Sequence, residues 1–284
     1  MRKGERTMAK AKDTALAVAE EQTTALSFVA EEVDESQYIA NFDFKADEQA
    51  MSFLKQAQAM SPELNAATPE YIDGLKQGGF FVSGVNKVLN DGCYIIPCYM
   101  VHEHIIWKAN QGGFDSKQPY SEELQRQVIR DESKDFLPDG RQVENALTYY
   151  VLVVDPAEPN TLPIPAMLKC SSTKFTAAKK FNTLLNAAQF KAATELGFKP
   201  SVYRFLASIS SVAQTNSQKQ TFFNLDFKMT TAHPYLNKRG MVAVKPILEM
   251  AKNLAEMAAA NLVNVDYSAD KVGTESTAPK QDLI

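Results

Sequence analysis

Residues 93–108 read Cys-Tyr-Ile-Ile-Pro-Cys-Tyr-Met-Val-His-Glu-His-Ile-Ile-Trp-Lys and follow directly on Asp91-Gly92. β-branched and aromatic side chains fill this run, the composition of a pleated and half-buried strand. Asp-Gly supplies the positive φ of a tight turn, so residues 80–90 and 93–108 are expected to form one long hairpin around it. Pro97 has no ladder donor to offer, and a bulge or a sheet edge is expected there. In an unbroken strand Tyr99, Val101, Ile105 and Trp107 share one face, while His102 and His104 lie on the other.

Downstream, residues 109–144 are polar and punctuated by Gly112-Gly113, Pro119, Pro138 and Asp139-Gly140, with at most a short helix near Glu122 to Ile129. Excursions of this length are usually functional or mobile. Strands are expected again at Leu147 to Asp155 and Ala166 to Cys170, separated by a proline-rich turn. Ser172 or Thr173 then caps a helix to about Phe190, with Phe175, Ala178, Phe181, Leu185 and Ala188 on one face and Lys174, Lys179 and Lys180 toward water. A last hairpin pairs Val202 to Val212, a strand that includes Arg204, with Thr221 to Met229, and a final helix covers about 244–263. Upstream, Ala50, Phe53, Leu54 and Ala57 fit a helical stripe within 42–60 that Ser61-Pro62 stops, and a second helical piece is expected from Pro69 to Leu75.

These elements divide the chain into a flexible segment (1–40), a helical extension (41–78), a β-rich domain (79–229), a C-terminal helix (230–263) and a disordered tail (264–284). The fold class is α+β and β-rich: an OB-like small barrel or a twisted antiparallel sheet, with an inserted helix and flanking helices.

Charge and motif content narrow the function. The net charge of −4 argues against coating duplex DNA by bulk positive charge, yet Lys169 to Lys191 holds five lysines and no acid. Three cysteines, Cys93, Cys98 and Cys170, give no disulfide framework, and no secretory or membrane-spanning stretch occurs, which points to a cytoplasmic setting. Zinc is not expected, because the spacing of Cys93 and Cys98 sets them on opposite strand faces; His102 and His104 lack a third ligand nearby. No phosphate-binding Gly loop, nucleophile elbow or His-Glu-x-x-His motif is present, so a binding module without cofactor is expected rather than an enzyme.

Two readings of the aromatic strand stand side by side: a core filled by its rings, or a stacking platform flanked by cations. In the second, Tyr99, Trp107 and Phe114 meet bases with Lys108 as a flanking cation, and Lys169, Lys174, Lys179, Lys180 and Arg204 track phosphates.

Ile105-Ile106-Trp107-Lys108 with Gly112-Gly113-Phe114, then Tyr149 to Asp155, Ser171-Ser172-Thr173 and Lys179-Lys180-Phe181-Asn182 carry a resemblance. In these motifs the chain resembles, over about residues 80–228, a family of bacteriophage early proteins associated with single-stranded DNA binding and OB-like replication functions. The resemblance implies a phage protein that coats single strands during replication or recombination through Trp107, Lys108, Phe114, Lys174, Lys179 and Lys180. It also implies contacts to replication or recombination proteins through the C-terminus. Tails of that family are dense in acids and end in an aromatic; here Lys271 and Lys280 interrupt the acids and the chain ends Asp282-Leu283-Ile284. The expectation is therefore sequence-independent binding of single-stranded DNA or RNA, with self-association a further expectation. The alternative is a protein–protein module, a virion component or an inhibitor of a host enzyme, docking through 109–144 and the apolar stripe Val244, Ile247, Leu248, Ala251 and Leu254.

Overall fold

The strands and helices are β1 (Ser52–Gln56), β2 (Phe80–Val82), β3 (Lys87–Leu89), β4 (Cys93–Trp107), β5 (Phe114–Pro119), α1 (Glu122–Gln127), β6 (Ile129–Asp131), β7 (Lys134–Phe136), β8 (Gln142–Val154), β9 (Ile164–Ser171), α2 (Thr173–Leu196), β10 (Ala207–Thr215), β11 (Thr221–Met229) and α3 (Lys245–Ala259). The computed structural model describes residues 50–109, 113–131, 134–215, 219 and 221–265. The flexible segment expected at 1–40, the first residues of the expected helical extension (41–49) and residues 266–284 of the expected tail lie outside the described residues.

The strand at 93–107 forms, but its partner is not the preceding run. β2 and β3 pair with each other, and β4 pairs along its length with β8. The reason is one of length: β4 has 15 residues and β8 has 13, while β2 and β3 have three each and cannot satisfy so long a ladder. Gly92 still turns the chain at φ 99°, and a Cβ there would strike the Ile209 carbonyl. The bulge is where the sequence predicts it: the β4–β8 register slips between Pro97 and Tyr99.

Residues 52–56 are a strand rather than part of a helix. β1 runs parallel to β9 and antiparallel to β2. Phe53 and Leu54 are neighbours and both are buried, as happens in a strand covered on both faces, and that adjacency imitates a helical stripe. The helical piece expected at Pro69 to Leu75 is a series of turns, preceded by a 3-10 turn at Pro62–Leu64.

The sheet path is β11-β10-β4-β8-β9-β1-β2-β3, with β5 on β4 and the β6/β7 hairpin on β8, giving eleven strands among the described residues. This is a curled mixed sheet, a half-barrel. An OB barrel has five strands, fewer than the eleven joined here among the described residues, so the α+β, β-rich class holds and the OB barrel itself is not what the strand order shows. The curl is closed by side chains. Gln58, just past β1, accepts from the Phe223 backbone N–H at 2.9 Å and donates Nε2 to the Phe223 carbonyl at 2.9 Å, so its amide stands in for a neighbouring strand of β11. Gln56 Nε2 donates to Ser211 Oγ and to the Asn224 carbonyl on the same hairpin. Gly78 lies against the Phe223 ring, where a Cβ would come within 2.6 Å.

The concave side wraps α2. Ala177, Ala178, Phe181 and Leu185 share one core with Leu54, Phe80, Ile95, Tyr149, Leu168, Ile209 and Phe227. Phe181 and Phe227 stack at 4.4 Å. α3 packs on β4 and β8 and buries Ile247, Ala251, Leu254 and Ala258. Its apolar stripe is therefore used within the fold and does not present the docking face that the sequence alone predicts.

Candidate nucleic-acid interface

Trp107 is 2% exposed. Phe114 meets it edge-on at 6.1 Å, and Lys169 Nζ lies 5.3 Å from the ring centroid. Lys169 is also 3.4 Å from the Glu144 carboxylate, so its charge is matched locally. Trp107 Nε1 is buried with no hydrogen-bond partner among the described residues. This is the core-filling reading of the ring, and a base cannot stack on it in this conformation. Tyr99 is half-buried beside Tyr150 at 6.3 Å, and burial, the Glu103 carboxylate and Tyr99 push the Tyr150 phenol up to about 12. Lys108 is exposed at the strand end. Arg204 sits in the 3-10 turn Val202–Arg204 rather than in a strand, and its Nε donates to the Val242 carbonyl at 2.9 Å.

The register decides whether these residues form one site with the lysine helix. Trp107 and Tyr99 pair with Gln142 and Tyr150 of β8. Tyr149, the next residue and hence on the opposite face, carries its hydroxyl to Asn182 Oδ1 at 2.7 Å and to the Ala178 carbonyl at 3.1 Å on α2. Trp107 with Lys169 and α2 with Lys174, Lys179 and Lys180 thus lie on opposite faces of the sheet. The joint groove expected from sequence is two separate places.

α2 itself runs to Leu196, beyond the expected end at Phe190. Ser172 takes the N-cap position but makes no side-chain cap bond. With Ala177, Ala178, Phe181, Leu185 and Gln189 turned inward, the opposite stripe carries Lys179, Lys180, Leu184, Phe190 and Lys191. Glu195 is the single acid in the helix. Phe190 is 59% exposed and Phe198, just past the Gly197 cap, 61%. Lys179 Nζ lies 4.8 Å from the Phe175 centroid and Lys199 Nζ 5.3 Å from that of Phe190. Among the described residues Lys179, Lys180, Lys191 and Lys199 have no acidic partner. The outward Phe190 and Phe198 were not legible as site residues, because their exposure depends on which stripe the sheet covers.

At the N-terminal end of α2, Tyr120 stacks on His102 at 4.0 Å and on His104 at 4.9 Å, and Phe175 lies 5.7 Å from His102. His102 Nε2 meets Asn145 Oδ1 at 2.7 Å, and His104 Nε2 meets the Ser121 carbonyl at 3.2 Å. Both histidines are thus tied within the fold; burial depresses the His104 pKa, opposed in part by Ser121. The three thiols are buried and pushed up to about 12 by burial. No group of three His, Cys, Asp or Glu side chains among the described residues could hold a metal ion. A cleft of about 240 Å³ opens between β4 and α2 beside Pro97, Met100, Asn182, Asn186 and Gln189.

A curled, mixed-sheet protein with one long cationic helix is the class that this geometry defines. Compared with known families, residues 19–264 match the one described as "Pam3 phage gp34-like protein". The match covers most of the chain, and the chain belongs to that bacteriophage protein family. No curated protein and no solved structure matches it. No described helix is long and apolar enough to cross a membrane.

Proposed function

We propose that this phage protein binds single-stranded nucleic acid without reading its sequence, as a non-enzymatic component of replication or recombination in the host cytoplasm. One observation carries the reading: the outer face of α2 presents Lys179, Lys180 and Lys191, with Lys199 beyond its end, and a single acid, Glu195. A 24-residue helix is about 36 Å long, enough for a strand to lie along it. Within an acidic chain such a stripe is a local field, suited to one phosphate backbone rather than to a wrapped duplex.

Four lysines on a single strand give a slope of log K against log salt of about −2.8, or roughly a 50-fold loss between 50 and 200 mM salt. Fluorescence anisotropy of a labelled dT oligonucleotide of roughly 20 nucleotides measures it. Binding that falls with salt on that slope supports the reading; no salt-sensitive anisotropy change overturns it.

A protein–protein module is the second reading, favoured by the outward Phe190 and Phe198. A stoichiometric protein complex that Phe190→Ser and Phe198→Ser abolish, formed by a chain indifferent to the oligonucleotide, would establish it instead.

A further inference from the structure

Large rings are ordinarily mostly buried, so two phenylalanines more than half exposed at one end of one helix call for a role. Gly197, at φ 77°, caps α2 and reverses the chain, and Lys199 returns over the Phe190 ring at 5.3 Å. Each ring thus has a lysine next to it in sequence, Lys191 after Phe190 and Lys199 after Phe198. Lys179 lies on the same exposed stripe, about 17 Å along the helix axis from Phe190. Lysine is depleted where proteins dock on one another, whereas rings flanked by cations are what unpaired bases and their phosphates use.

We propose that Phe190 and Phe198 form a base-stacking platform that takes the nucleobases of a single strand whose phosphates lie on Lys179, Lys180 and Lys191. This rests on the reading of α2 as a phosphate track and relocates base contact from Trp107 to the C-terminal end of the helix. Stacking on a π-face tolerates any base, so the platform adds affinity without sequence preference.

The test compares a dT oligonucleotide with an abasic strand of equal length and charge. The full-length protein is expected to bind dT about tenfold more tightly for each ring engaged, with the same salt slope for both strands. In Phe190→Ala/Phe198→Ala the dT advantage disappears and the slope stays. Both positions are exposed, and unchanged circular dichroism and thermal midpoint establish that the variant folds. Phe190→Trp supplies a direct signal: dT quenches the new indole, while buried Trp107, the one native tryptophan, stays silent. Equal binding of dT and abasic strands, or a dT advantage that survives in the double variant, overturns the platform and leaves the lysine track standing. Loss of salt-sensitive binding to both strands removes the track itself, and the platform with it. If the double variant changes only the oligomeric state seen by light scattering, the rings join copies of this chain and the platform is overturned.

Discussion

Replacing Gln58 by alanine tests how the sheet is closed. The Gln58 amide makes two hydrogen bonds to the backbone of Phe223, and its Nε2 also approaches Gln56 Oε1 at 3.3 Å. Each backbone bond contributes about 1 kcal/mol net, and because Phe223 is only half-buried, water takes over part of what is lost. The expected cost is about 1–2 kcal/mol, or a thermal midpoint lowered by roughly 2–8 °C for a domain of this size. Gln58→Glu keeps the acceptor, loses the donor and sets a charged oxygen against the Phe223 carbonyl, so it recovers none of the loss. Urea unfolding reads the stability, and amide exchange at Phe223 reads the location, with opening about 5- to 30-fold more frequent. A Gln58→Ala protein with wild-type stability and wild-type exchange at Phe223 would refute the closure, since no backbone ladder joins β1 to β11.

Three further outcomes follow from burial. Trp107 emission is blue-shifted, shielded from acrylamide and unchanged by dT, and Trp107→Ala costs about 3–5 kcal/mol; a red-shifted, quenchable indole would place the ring outside the core. Burial holds His104 below its ordinary 6.5, so the unfolded chain takes up the proton first. Stability is complete above about pH 6.5 and is lost as pH falls below it, by at most about 1.4 kcal/mol per pH unit from this group. Urea midpoints between pH 7 and 5 show a shallower decline in His104→Gln, with a remainder from His233, which burial shifts the same way; identical profiles would discard the assignment. The thiols, raised from 9.0 to about 12, keep their contribution below pH 9 and lose it as pH climbs toward 12. Thiol reagents at pH 8 therefore label Cys93, Cys98 and Cys170 only after urea is added, and prompt labelling of the native protein would contradict their burial.

Local chemistry made part of this fold legible. Pro97 announced its bulge, the parity of Tyr99 and Trp107 survived into the β4–β8 register, and α2 was marked by its apolar stripe. What failed depended on partners distant in sequence. Asp91-Gly92 is a turn, but the ladder beyond it goes to β8, about 50 residues downstream, where length and burial match. β1 is five residues long and buried on both faces through Phe53 and Leu54, so it has no alternation to read. The same limit applies to the site. The acid-free lysine run from Lys169 to Lys191 is visible in the sequence, but which face of the sheet holds Trp107, and which stripe of α2 is left outside with Phe190, are consequences of the curl.

The most direct test of the α2 interface compares the salt dependence of dT binding by the wild-type chain and by Lys179→Gln/Lys180→Gln/Lys191→Gln. Removing three phosphate contacts on a single strand is predicted to make the slope of log K against log salt shallower by about 2. A triple variant that folds and binds dT with the wild-type slope would show that the strand lies elsewhere and would contradict the assignment of α2.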